Sequence, residues 1–100
     1  MYARVTTIHV KEDKVEEAVQ LYKESVLPAA KKQKGFRGVL LLTDAATGRG
    51  MSITLWDTEK EASVNEQNLY YQNQLVKVLP YFSNPPVREG FDVNLFVKKK

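Results

Sequence analysis

Cysteine is missing from this 100-residue chain, and histidine occurs once, at His9. The first absence excludes disulfides, thiolate nucleophiles, iron–sulfur clusters and cysteine-based zinc sites. The second leaves no histidine cluster, so no metal centre is expected from one chain. No apolar run approaches the roughly 18 residues that a membrane-crossing helix takes. The start, Met1-Tyr2-Ala3-Arg4, enters strand-like alternation with no apolar leader, so a cytoplasmic location is the default expectation. Charge of one sign is scarce as well: the formal net charge is +3. Much of that excess sits in Lys31, Lys32, Lys34 and Lys98-Lys99-Lys100, which read as solvated ends.

What is present suits a soluble globular domain, 43% hydrophobic and 27% charged. The length predicts a single domain over residues 1–100 with a thin core. Residues 2–10 are β-branched and Thr-rich, which predicts a strand. Asp13 and Glu16 then have capping-box spacing. The helix that follows places Val15, Ala18, Val19, Tyr22, Val26 and Ala29 on one face, at steps of three and four. Pro28 lacks an amide hydrogen, so a kink or break is expected near Leu27. Gly35 suits a left-handed cap.

Residues 36–43 form the next strand, apolar on both faces through Val39-Leu40-Leu41-Leu42. A turn over 44–50 leads to a third strand at 51–57, which ends on the only tryptophan, Trp56. Thr58 and Glu61 form a second capping box. The helix after it is interrupted by Asn65-Glu66-Gln67-Asn68, where a bend or break is expected before a longer second segment. In that segment Tyr71, Leu75, Val78 and Phe82 share a face. The last strand is placed at 88–97, with Phe91, Val93, Leu95 and Val97 on one side.

The order strand, helix, strand, strand, helix, strand is the ferredoxin-like βαββαβ plan. Its fold class is α+β: a four-stranded antiparallel sheet with helices on one face. Helices roof only one side, so the other should read polar in a chain that works alone. Here it carries Leu40, Leu42, Met51, Ile53 and Leu55, or else their alternating neighbours. The expectation is a homodimer that buries this open face.

Several segments carry a family resemblance: Ala3-Arg4-Val5-Thr6, Leu27-Pro28-Ala29, Gly35-Phe36-Arg37-Gly38, Thr47-Gly48 and Thr54-Leu55-Trp56-Asp57. Through them the chain resembles the antibiotic biosynthesis monooxygenase family, in the dimeric α/β-barrel superfamily. The resemblance implies a side-by-side dimer with a pocket in each subunit, between helices and sheet. Characterised members oxygenate aromatic polyketides or quinols with no cofactor, and others bind and degrade haem. Thr6, Trp56, Asn68, Tyr70 and Tyr71 are the pocket residues this implies, with Asn65 and Gln72 as further polar candidates. Trp56 also reads as a plain core anchor, and Tyr71 as part of the Leu75 stripe. Haem-degrading members need a histidine in the second helix, which this chain lacks there. Arg4, Arg37 and Arg49 are possible anion partners.

Two functions therefore compete. One is a cofactor-free monooxygenase acting on a small phenol or quinol; the other is a non-catalytic small-ligand-binding dimer on the same frame. No catalytic acid, base or nucleophile can be assigned. A third reading, RNA binding, starts from Lys34-Gly35-Phe36-Arg37-Gly38-Val39, which looks like an aromatic ribonucleoprotein motif. It begins the second strand instead of the third, and aligned aromatics for base stacking are too few. No nucleic-acid or membrane partner is expected.

Overall fold

β1 (Tyr2–His9) lies inside the sheet, antiparallel to β3 (Arg49–Trp56) on one side and β4 (Val87–Asp92) on the other. β2 (Phe36–Thr43) pairs with the far side of β3, giving the order β2-β3-β1-β4. This is the ferredoxin-like plan read from the sequence. The computed structural model describes residues 1–67 and 70–99.

The strand registers decide which side chains face the helices. Leu41, Ser52, Thr6 and Arg88 form one row across the sheet, and Val39, Thr54, Arg4 and Gly90 the next. Alternation sends the intervening rows to the opposite side. Those rows are Leu40-Ile53-Val5-Glu89, Leu42-Met51-Thr7-Val87 and Gly38-Leu55-Ala3-Phe91. Leu40, Leu42, Val87 and Phe91 are each about half exposed. The open face is apolar, as the strand pattern predicts.

The first helical segment departs from expectation in two ways. Asp13 does not cap it: a 3-10 turn (Glu12–Lys14) leads into α1 (Val15–Leu21) with no side-chain cap, and the Lys14 amide bonds the Lys11 carbonyl at 2.8 Å. The break ahead of Pro28 takes the form of a π turn (Tyr22–Val26) before α2 (Leu27–Lys31). The Leu27 amide reaches back five residues to the Tyr22 carbonyl. One extra residue per turn advances the face by roughly 100°, because an α-helix turns 3.6 residues at a time. The residue buried after the turn is therefore Ala30, 2% exposed, and not the expected Ala29.

Gly35 has the expected left-handed backbone (φ +86) but does not cap the helix, which ends at Lys31 with Lys32 as its right-handed cap; it sits in the turn closed by the Phe36 amide on the Gln33 carbonyl, just ahead of β2. The β2–β3 turn is tighter than expected, and β3 begins at Arg49 instead of residue 51. Asp44 accepts the Gly48 amide at 2.8 Å, and Gly48 at φ +78 returns the chain to pair with β2. A side chain at Gly48 would strike the Val10 carbonyl.

Thr58 caps α3 (Glu59–Gln67): its Oγ1 accepts the Glu61 amide at 3.1 Å. α4 (Tyr70–Val78) follows, and the expected break runs to Asn68, which lies outside the described residues. A 3-10 turn (Leu79–Tyr81) then leads back to the sheet.

β4 stops at Asp92, five residues short of the expected end. Tyr2 pairs with Asp92, and the Val93 amide bonds the Met1 carbonyl at 2.9 Å. Past that bond β4 has no neighbouring strand, and residues 93–99 carry no regular structure.

The core is split. Tyr2, Trp56 and Ala62 form one buried cluster with Phe36 against it; Ile8, Val10 and Val15 form another with Ala18, Val19, Leu41, Tyr81 and Phe82.

Candidate functional site

Between helices and sheet lies a cavity of about 100 Å³ that touches both clusters, Ile8 and Val10 from one and Trp56 from the other. A single water needs about 10–15 Å³, so this space exceeds a packing defect. Its floor is the row Leu41-Ser52-Thr6-Arg88, with Thr54 and Trp56 further along β3. Its roof is Val19, Tyr22 and Val26 from the first helical unit, and Tyr70, Tyr71, Gln74, Leu75 and Val78 from α4. The expected Tyr71-Leu75-Val78-Phe82 stripe thus faces the cavity instead of filling it.

The walls are mostly apolar, but the polar groups have fixed partners. Trp56, 1% exposed, donates its Nε1 hydrogen to Thr54 Oγ1 at 2.9 Å, and its ring meets Phe36 edge-on at 5.7 Å. Tyr22 begins the π turn and its hydroxyl lies 2.8 Å from Ser52 Oγ. The Ser25 hydroxyl, in the same turn, donates to Gln74 Oε1 at 2.9 Å, and Lys77 Nζ donates to Ser25 Oγ at 2.8 Å. These bonds join the first helical unit to the sheet below it and to α4 beside it.

Electrostatics at the site centre on Arg88. Its guanidinium lies 3.8 Å from the centre of the Tyr71 ring, a cation–π stack. It is the one charged residue among the described cavity residues, and none of them is a carboxylate. Burial raises the Tyr70 phenol to about 12 and the nearby Tyr22 phenol adds to the rise, while Arg88 opposes it. Tyr22 is raised too, chiefly by burial, against the Ser52 hydrogen bond and Arg88. Both phenols keep their protons at neutral pH. They can orient a ligand oxygen, but neither is a base there.

Of the residues singled out in the sequence, Thr6, Trp56, Tyr70 and Tyr71 all line this one cavity. Asn68 lies outside the described residues. Gln72 is exposed and not part of the lining. The three arginines considered as anion partners are elsewhere. Arg4 lies over the Tyr2 ring at 5.6 Å, Arg37 pairs with Asp57 at 3.1 Å, and Arg49 sits opposite His9 at the hairpin end. Sequence reasoning missed Arg88, Ser52 and Gln74. The signal for Arg88 was present: if Phe91 faces outward, an arginine three residues earlier must face the helices.

The family model for antibiotic biosynthesis monooxygenases matches residues 1–67. No curated protein matches the chain. Among solved structures, a Nitrosomonas europaea protein provisionally described as an antibiotic biosynthesis monooxygenase superposes with a TM-score of 0.77 at 18% identity. The match covers 95% of this chain and 100% of that one. A Bordetella bronchiseptica protein with the same provisional description gives 0.73 at 22%, over 94% and 97%. A second Nitrosomonas europaea protein, of unknown function, gives 0.78 at 13%, over 99% and 94%. At these identities the likeness establishes the fold alone.

Proposed function

Because the chain belongs to the antibiotic biosynthesis monooxygenase family, we propose that it oxygenates a small phenol or quinol without a bound cofactor. The observation that carries this reading is Arg88 beside two protonated phenols in an otherwise apolar, aromatic-walled cavity. A flat aromatic ring fits against Trp56 and Tyr71, and its ionised oxygen is held by Arg88. An opposite charge within about 4–6 Å lowers an acid's pKa by roughly 1–3 units, so contact with Arg88 favours the bound anion against the desolvation that raises Tyr22 and Tyr70. That anion is the electron-rich form that dioxygen attacks. Oxygenation of a phenol to a quinone consumes one dioxygen, leaves one oxygen atom on the ring and releases the other as water. The substrate supplies all four electrons, and the apolar walls shield the reactive intermediate from solvent.

The reading includes a homodimer through the open sheet face. Its support is the half-exposed set Leu40, Leu42, Val87 and Phe91 on that face; burying such a side chain from full exposure is worth about 1.5–3 kcal/mol, so each gains roughly half of that.

Oxygen uptake by metal-free and flavin-free protein with a panel of hydroquinones and naphthols tests the activity. Turnover above spontaneous oxidation is expected, together with quinone product. The alternative is a ligand-binding dimer without chemistry, and it is favoured by the raised phenols, which leave the cavity without a base near neutral pH. Saturable quenching of Trp56 fluorescence without oxygen consumption would select it.

A further inference from the structure

The row Leu41-Ser52-Thr6-Arg88 divides the cavity into two unlike ends. On one side the Trp56 indole leans back to Thr54, which brings aromatic surface within one helix-facing row of Arg88. On the other side the next such row brings Ile8, and Val10 follows two residues later; they are 8% and 3% exposed. Ala18, Val19 and Phe82 pack against the cluster these two form with Val15, and all three line the cavity. Thr43, in the row of Ile8, adds one hydroxyl. Arg88 and the Tyr22–Ser52 pair therefore sit between an aromatic end and an aliphatic one. We propose that the cavity selects a phenol or quinol with a short alkyl group ortho to its ionised oxygen. The inference rests on the proposed phenol chemistry and adds to it the position and size of a substituent.

Direction follows from the anchor. With the ring against Trp56 and its oxygen at Arg88, the para carbon points along the sheet away from Ile8. The carbons beside the oxygen flank the middle row, and a substituent on one of them enters the aliphatic end. Neighbouring helix-facing rows are two residues apart, about 6.6 Å, so a short chain reaches Ile8. Size follows from volume: about 100 Å³ holds roughly seven to ten waters at about 10–15 Å³ each. A phenol takes about seven non-hydrogen atoms of that space, so up to about three carbons remain. The small side chain of Ala18 keeps this end open, and a larger one there competes with the substituent. Each methylene buried against these walls contributes about fourfold in affinity.

The test measures dissociation constants under nitrogen, so that no turnover intervenes, by Trp56 quenching and by calorimetry. The probes are phenol, 2-methylphenol, 2-ethylphenol, 2-propylphenol and 4-propylphenol. Affinity should climb about fourfold per carbon along the 2-alkyl series, and 2-propylphenol should bind at least about tenfold more tightly than its 4-propyl isomer. In Ala18→Leu the advantage of 2-propylphenol over phenol should fall below about fivefold. A ratio between the propyl isomers under about tenfold on wild type would overturn the proposal and leave the phenol site standing. Failure of every probe to bind would overturn both. Should Ala18→Leu fail to fold, the two propyl isomers on wild type decide alone.

Discussion

The Tyr22 hydroxyl and Ser52 Oγ meet at 2.8 Å across 30 residues of sequence, and the bond ties the π turn to the middle of the sheet. Because the turn begins at Tyr22, the contact fixes where the helix phase shifts. Tyr22→Phe removes one partner and leaves Ser52 Oγ facing an apolar wall. A loss of about 1 kcal/mol is expected, the usual worth of such a bond. Urea unfolding monitored at Trp56 measures it, and a shifted midpoint with an unchanged slope is the expected form.

Arg88 sets the charge preference of the cavity. An ionic hydrogen bond to a guanidinium contributes about 1.5–3 kcal/mol, or roughly 10–100-fold in affinity. Arg88→Gln should therefore weaken 2-naphthoate by that factor and leave the neutral 2-naphthalenemethanol nearly unchanged. Quenching of Trp56, the single tryptophan, reads both titrations. Equal losses for the two ligands would show that Arg88 shapes the cavity through its stack on Tyr71 and not through its charge.

Alkaline stability follows from Tyr70. Its folded-state pKa stands near 12 against an ordinary 10.0, so the folded chain holds the phenolic proton more tightly than the unfolded chain. The stabilisation is complete below pH 10 and declines as pH rises through the interval up to about 12. Full linkage would give about 1.4 kcal/mol per pH unit. Partial exposure of Tyr70 to solvent makes the real slope shallower. Tyr22 is raised in the same direction and adds to the decline. Urea midpoints at pH 8, 10 and 11 should fall for wild type, and less steeply for Tyr70→Phe.

Much of this architecture was legible because local signals agreed with one another. Thr58 with Glu61 marked a helix start that the hydrogen bonds reproduce, and Gly35 marked a left-handed position, though it serves the turn into β2 and not the helix end. Two-period alternation in β2 and β3 gave the two apolar faces. Pro28 announced a break but not its form, since a missing donor is equally compatible with a kink, a gap or a wide turn. Only the wide turn moves burial from Ala29 to Ala30. Arg88 stayed hidden because strand parity assigns faces only once one residue of the strand is anchored. β4 ended early for a non-local reason: the length of β1 limits it, and nothing in residues 93–97 records that.

The wall between the first helical unit and α4 depends on Ser25, which donates to Gln74 Oε1 and accepts from Lys77 Nζ. Gln74 lines the cavity, so this hydroxyl holds a cavity residue in place from outside the lining. Ser25→Ala deletes both bonds. The Lys77 bond is exposed and contributes little, whereas the half-buried Gln74 amide loses a donor it cannot replace on the cavity side. The expected cost is about 1 kcal/mol or less. Faster amide exchange along α4 than in the sheet would place the loss at this wall. Ser25→Thr keeps the hydroxyl and should restore both bonds, and recovery of slow exchange in α4 would separate the hydrogen bonds from a simple packing effect.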